Sequence, residues 1–361
     1  MFIVWQQHRL RLRSDSRRAS VALVALCLSL ACFSAPAWAG TGYVDGISDQ
    51  GLMSWSGNVT DAGSSISFPA FFASSLVGDP PSRIKLARYV VQWDVMLGAG
   101  YPEELAKLQR WYDNALQLQL IPELALDNYN CTGCTPPQSS IEYKAALEAL
   151  LATFPGIQVL EAWNEPNNTH YTSYLAPASA AQLMNAAYAL CEIHRCAAIA
   201  GDFLDSEPNL VEYEREYERY LMPADPSDWG IHPYHAVKYT TSSTVEAFKA
   251  ALPHPATDNL WFTEVGAYYC EAGYVYGERP QAEQARFLTD DLIPEFQPAH
   301  VFYYELAWRY DEPPACDSQQ DDTALYAASS PNGTLSARTA AHIVFGSTPV
   351  LMTSLEELFA G

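Results

Sequence analysis

The chain has 361 residues, 49% of them hydrophobic, and carries 20 lysines and arginines against 42 aspartates and glutamates, a net charge of −22. That acidity excludes nucleic acid and anionic membrane surfaces as natural partners, since both repel a polyanion. It speaks to solubility and selects no substrate, although a neutral oligosaccharide would meet no repulsion.

The first element reads as an export signal. Arg9, Arg11, Arg13, Arg17 and Arg18 precede the apolar run Val21 to Phe33, and Ala37-Trp38-Ala39 supplies an A-x-A cleavage sequence. A membrane anchor needs about 20 apolar residues and no such sequence, whereas this run is shorter and contains Ser29. Cleavage after Ala39 is expected, leaving a single domain over residues 40–361, secreted or periplasmic in the cell envelope, detached from the membrane and monomeric. Loss of five arginines and one aspartate deepens the net charge from −22 to −26. Cys27 and Cys32 leave with the signal. The other six cysteines pair by proximity in sequence as Cys131 with Cys134, Cys191 with Cys196 and Cys270 with Cys316. A lone C-x-x-C without H-x-x-x-H reads as a structural clip in an oxidising compartment, so neither a metal nor a cofactor is expected.

Beyond Ala39, short apolar runs alternate with amphipathic stretches eight times, the signature of a parallel β/α fold. The strands are expected at Tyr43–Asp49, Ala87–Trp93, Leu120–Asp127, Val159–Pro166, Ala197–Phe203, Trp229–Tyr234, Leu260–Gly266 and Val301–Trp308. Helical spacing of apolar residues places helices at Pro102–Leu118, Ile141–Phe154, Ala178–His194, Asn209–Leu221, Thr244–Leu252 and Ala282–Ile293, with a first helix within Ser67–Ile84 and a last near Arg338–Phe345. A doubly wound open sheet alternates in the same way. Nearly every strand, however, finishes in a chemically capable side chain: Asp49, Asp94, Asp127, Glu165, Asp202, His232, Glu264 and Trp308. Barrel enzymes gather their sites at the carboxyl ends of many strands, whereas an open sheet uses one crevice. With no G-x-G-x-x-G and no phosphate loop, the expected fold class is α/β, a single-domain (β/α)8 TIM barrel.

Two carboxylates stand out. In Val159-Leu160-Glu161-Ala162-Trp163-Asn164-Glu165-Pro166, Glu165 follows an apolar strand with an amide beside it and a proline after it. Leu260-Trp261-Phe262-Thr263-Glu264-Val265-Gly266 repeats the arrangement 99 residues later. On the fourth and seventh strands, the two glutamates face each other across the mouth. A pair flanking one cavity suits glycoside hydrolysis, where one carboxyl protonates the leaving oxygen while the other attacks the anomeric carbon.

On these residues the chain resembles the retaining glycosidases of clan A, with families five and thirty-nine as the nearest named relatives. That clan carries its acid/base in an Asn-Glu pair ending strand four and its nucleophilic Glu at the end of strand seven, positions matched by Asn164-Glu165-Pro166 and Thr263-Glu264. The resemblance implies a hydrolase that cleaves a poly- or oligosaccharide by double displacement, with Glu165 as acid/base and Glu264 as nucleophile. It also implies that Arg88 and Tyr234 support Glu264 by charge and hydrogen bonding. Asn164 would bind the hydroxyl beside the reacting carbon, His232 of His232-Pro233-Tyr234 would position substrate, and Trp308 would stack on a sugar ring.

Blander readings stand beside these. Arg88 also fits a buried ion pair, His232 a satisfied core histidine, and Trp93, Trp163, Trp261 and Trp308 core aromatics. Asp94, Asp127, Asp202 and Glu305 fit either groups that hold sugar hydroxyls at neighbouring subsites or helix and loop caps. A Cys270–Cys316 bridge would tie the loops after strands seven and eight over the cleft, with Tyr268, Tyr269, Tyr274 and Tyr276 as a wall. Asn167-Asn168-Thr169 is a glycosylation sequon whose glycan would crowd Glu165. The competing function is a catalytically inactive barrel that binds glycan.

Overall fold

In the computed structural model the described residues are 44–49, 51–54, 59–61, 64–66, 84–97, 102–128, 135–222, 224–306, 316, 322–328 and 335–345, all within the unit Gly40–Gly361. The apolar runs form eight strands: β1 (Gly46–Ser48), β2 (Leu86–Gln92), β3 (Ile121–Asp127), β4 (Val159–Glu161), β5 (Ala197–Leu204), β6 (Asp228–His232), β7 (Asn259–Val265) and β8 (His300–Tyr304). Each pairs in parallel with its neighbour in sequence, and β1 pairs with both β2 and β8, which closes the barrel. The expected (β/α)8 barrel is therefore the observed one.

Side chains alternate across each strand, and the two faces meet different surroundings. Outward-facing Ala87, Tyr89, Val91, Leu124, Leu126, Leu160, Trp229, Ile231, Leu260, Phe262, Val301 and Tyr303 join the main apolar core with the surrounding helices. Facing inward, Leu86, Val159, Ile199, Trp261 and Phe302 form a separate apolar layer. Trp261 and Phe302 stack there with ring centroids 6.5 Å apart. Gly46 has to be glycine because a Cβ would run into the Phe302 ring. This layer keeps water out of the barrel below the polar residues that point inward one step further along each strand.

The helices are specified locally. Pro102–Gln117 starts on a proline, whose missing N–H costs nothing at a first turn, and buries Leu108, Trp111, Tyr112 and Ala115 at helical spacing. Ser140–Thr153 is capped by Ser139, whose Oγ accepts from the Glu142 N–H at 3.2 Å. Pro177–His194 ends at Arg195 in the left-handed region, followed by the Cys191–Cys196 disulfide. Cys270–Cys316 is also formed, while Cys131 and Cys134 lie outside the described residues.

Several expected boundaries moved for physical reasons. β4 stops at Glu161 rather than Pro166, and Glu165 beyond it has φ 45°, outside the extended range. β6 stops at His232, and Pro233 opens a short helix, Tyr234–Tyr239. The helix expected over Ala282–Ile293 starts earlier, at Glu278, and widens to a π-helical turn over Phe287–Leu292 before Ile293–Phe296. Pro294 has no N–H for the ordinary ladder, so the wider turn precedes it. Three hairpins were not foreseen: Val59–Asp61 with Ser64–Ile66, Cys270–Glu271 with Tyr274–Val275, and Tyr326–Ala328 with Leu335–Ala337. The last helix spans Thr339–Val344, and residues 67–83, where the first was expected, lie outside the described residues.

Candidate active site

Inside the barrel the polar layer is built on Arg88 of β2, whose side chain is fully buried. Its Nε donates to both oxygens of Glu161, at 2.9 and 3.1 Å, and its Nη2 donates to Glu161 Oε2 at 2.7 Å. Nη2 also reaches Asn164 Oδ1 at 2.8 Å and Asp202 Oδ2 at 3.0 Å. Nη1 reaches Ser48 Oγ at 3.1 Å and Glu264 Oε2 at 2.5 Å. Burial disfavours the guanidinium charge, but Glu161, Asp202 and Glu264 outweigh it and hold Arg88 well above its ordinary value.

Asp202 enters this layer through a bulge. The β5–β6 register shifts between Gly201 and Phe203, and both Gly201 (φ 90°) and Asp202 (φ 62°) lie in the left-handed region. The extra residue turns the Asp202 side chain inward, where it accepts from Thr263 Oγ1 at 2.5 Å and meets His232 Nε2 at 2.8 Å. The Asp202 carbonyl accepts the Glu165 N–H at 3.0 Å. Two residues in costly backbone conformations thus hold each other.

Glu165 sits on the segment after β4, which Tyr143 and Trp163 anchor through hydrogen bonds to the Ala162 and Ser173 carbonyls at 2.6 and 2.7 Å. Its Oε1 lies 2.9 Å from His232 Nδ1, and its Oε2 accepts from Asn168 Nδ2 at 2.7 Å. Glu264, near the end of β7, accepts from Tyr234 OH through Oε1 at 2.9 Å and from Arg88 through Oε2. The side chains of Glu165 and Glu264 are 16% and 12% exposed, open enough for a ligand to reach. Oxygens of the two carboxyl groups and a His232 nitrogen all lie within 4.8 Å of one another.

Burial opposes a charge on His232, but Asp202, then Glu264, and hydrogen bonds with Asp202 and Glu165 push it up to about 10. Asp202 is lowered: burial alone would raise it, and His232 and Arg88 prevail. Asp127 goes the other way, pushed up to about 7 by burial despite hydrogen bonds from Asn128 and Asn164.

The structure brings Glu165, Glu264, Asn164, Arg88, His232 and Tyr234 into one network. Arg88 was expected to support Glu264 and His232 to position substrate, and both side chains are wholly buried. Arg88 spends its donors on protein carboxylates, the Ser48 hydroxyl and the Asn164 carbonyl, and both His232 nitrogens are engaged by Glu165 and Asp202. Both the supporting and the buried-pair readings of Arg88 therefore describe it. Trp308 lies outside the described residues. Asp49 accepts the Met53 and Leu306 N–H groups, each at 3.1 Å, and is a loop cap. Asn167 is fully buried with its amide on Leu204, at 2.9 Å in both directions, so the sequon is closed to a glycan in the folded protein.

Sequence reasoning missed Glu161, Glu123, Thr263 and Asn168. For the two glutamates a signal existed, a carboxylate within an apolar strand, since such a charge has to find a partner inside.

Among the described residues two groups have the donors for a cation: Glu161, Asp202 and His232, and Glu165, His232 and Glu264. Neither fits a metal well, because Arg88 and a protonated His232 already supply the positive charge there and a protonated imidazole has no lone pair to give. A hollow of about 910 Å³ bounded by Asp205, Glu207, Arg215, His235 and Thr244 is not lined by either Glu165 or Glu264. Its Asp205 is a helix clamp, accepting from the His235 and Ala236 N–H groups and from Thr244 Oγ1.

No protein-family model and no curated protein matches the chain. Its fold is similar to solved structures of glycosidases. A family 30 endoxylanase from Clostridium papyrosolvens C71 superposes with a TM-score of 0.52 at 12% identity, over 85% of this chain and 72% of that one. A β-glucosidase from Thermotoga maritima in complex with castanospermine gives 0.52 at 11% identity, over 85% and 97%. A family 10 xylanase from Bispora sp. MEY-1 with xylobiose gives 0.52 at 10%, over 73% and 88%. At these identities the likeness is one of fold.

Proposed function

We propose that the protein is a glycoside hydrolase that cleaves O-glycosidic bonds of a neutral poly- or oligosaccharide with retention, Glu264 acting as nucleophile and Glu165 as acid/base. The observation that carries this reading is the pair of accessible carboxyl groups at the barrel mouth with oxygens within 4.8 Å. Retaining enzymes separate their carboxyl groups by roughly 5 Å, whereas inverting ones leave room for a water at about 6.5–9.5 Å. The fold shared with xylanases and a β-glucosidase is consistent with this chemistry.

In the first step Glu264 attacks the anomeric carbon as Glu165 gives its proton to the leaving oxygen; in the second, Glu165 takes a proton from the entering water. Arg88 and Tyr234 hold one oxygen of Glu264 each, fixing its line of attack. His232 stands one hydrogen bond behind Glu165, so the proton exchanged in the two half-reactions has a neighbouring group held in place by Asp202. Asn164 has bonds to Arg88 and Asp127, which leave one amide hydrogen and one lone pair for a sugar hydroxyl. Trp308 is proposed as the stacking platform.

Export and removal of residues 1–39 belong to the same proposal. Among the described residues no helix is long and apolar enough to cross a membrane, and the two disulfides suit an oxidising compartment.

A panel of aryl glycosides and polysaccharides tests the reading. Turnover that falls about 10⁴-fold or more in Glu264→Gln is expected, with a 2-fluoro sugar labelling Glu264. Glycan binding without turnover by the unaltered protein would select the inactive-lectin reading instead, and a label on another residue would overturn the roles.

A further inference from the structure

Glu123 is fully buried on β3, and no donor reaches either of its carboxyl oxygens. It lies beside Glu161, the inward-facing carboxylate of the adjacent strand that grips Arg88. β3 pairs Glu123 with Arg88 of β2 on one side and with Val159 of β4 on the other, so the pair sits directly against the arginine layer. Two ionised carboxylates cannot share a dry contact, and a buried carboxylate without a donor is untenable. One of them therefore carries a proton, and the hydrogen bonds say which. Both oxygens of Glu161 are occupied by three N–H contacts from Arg88, whereas Glu123 has nothing to accept and one oxygen to donate through.

We propose that Glu123 and Glu161 share one proton, held on Glu123 and donated to Glu161, and that this acid–carboxylate pair is the positioning device that fixes Arg88 against Glu264. The role in catalysis rests on the glycosidase reading; the shared proton does not. Arg88 from β2, Asp202 from β5 and His300 from β8 are the charged or titratable groups facing the pair. His300 is itself held by Asp45, with Nδ1 to Oδ2 at 2.8 Å. Burial raises both carboxyls, and Arg88 opposes that rise for both. With Glu161 anchoring Nε and one edge of Nη2, the guanidinium plane is set. Nη1 then meets Glu264 and Nη2 meets Asn164 in the same orientation.

The two isosteric substitutions separate this device from mere packing. Gln at position 123 still donates through its amide but holds no proton to share, so Glu123→Gln is expected to lower kcat severalfold, far less than Glu161→Gln. Glu161→Gln loses the charge that orients Arg88, and kcat is expected to fall roughly 100-fold with KM little changed, the loss typical of a supporting hydrogen bond or a misplaced group. Two readouts are independent of turnover. The infrared difference spectrum between the natural protein and Glu123→Gln at neutral pH should show the loss of one protonated-carboxyl band, beside those of other protonated carboxyls such as Asp127 that remain. The slowly exchanging Arg88 Nε–H resonance should survive in Glu123→Gln and shift or broaden in Glu161→Gln. A difference spectrum without that loss overturns the shared proton, even if Glu161→Gln fails to fold. Equal kinetic damage from the two variants, or an Arg88 resonance indifferent to Glu161→Gln, overturns the positioning role. If no glycoside is turned over by any form, the glycosidase reading fails while the infrared and resonance data still decide this one.

Discussion

At the level of single residues, the site is an exercise in balancing charge inside a dry barrel. Arg88 and His232 are the cations, and the carboxylates around them are stable only because every strong donor is aimed at one. His232 makes this measurable. Its value is raised in the folded protein to about 10, against about 6.5 for a free imidazole. Its contribution to stability is therefore complete below about pH 6.5 and is lost as pH rises towards 10, at up to about 1.4 kcal/mol per pH unit. The stability difference between the natural protein and His232→Gln, followed by denaturant unfolding, should be constant below pH 6.5 and shrink steadily above it; a difference that grows with pH would contradict the assignment. Glu165, Glu264, Asn164 and Tyr234 were legible in the sequence because each is polar at the end of an apolar run. Glu123 and Glu161 were not read as functional, since the sequence does not reveal which residue opposes a charge within a strand. The left-handed backbone of Glu165 and Asp202 left no trace either, as neither is glycine.

Elements carry these residues to one place. The alternation of strand and helix sufficed to find all eight strands, because each needs an apolar run to bury both faces. Their ends were less legible where a positive φ or a proline follows the ladder, as at Glu165 and Pro233. Hairpins of two or three residues per strand contribute too little periodicity to be recognised. Between β7 and the hairpin Cys270–Glu271 with Tyr274–Val275 lies Gly266, where a methyl group would run into the Tyr304 carbonyl oxygen and Thr323. Gly266→Ala should therefore force the end of β7 away from β8, destabilising the protein by about 1–3 kcal/mol and lowering kcat through the displaced Glu264. Calorimetry and kinetics on one preparation check this, and unaltered values in both would show that β8 gives way without consequence. Beyond Gly266, Tyr268 packs on Tyr234 with centroids 5.8 Å apart, and Tyr274 is 65% exposed. The tyrosines that were expected to form a wall thus run outward from the nucleophile's own hydrogen-bond partner.

Over the described barrel, a closed sheet, an apolar floor and a charged interior make a cup whose reactive groups meet solvent at one end. If residues 1–39 are removed on export as proposed, N-terminal sequencing of the exported protein should begin at Gly40; a mature chain beginning elsewhere would displace the cleavage site. The central claim is that Glu165 and Glu264 act on one sugar from opposite faces at a separation too short to admit a water between them. The most direct test is proton NMR of the first product released from a substrate of defined anomeric configuration, recorded before mutarotation. The new reducing end is expected to appear with the configuration of the bond that was cut. First appearance of the opposite anomer would contradict it.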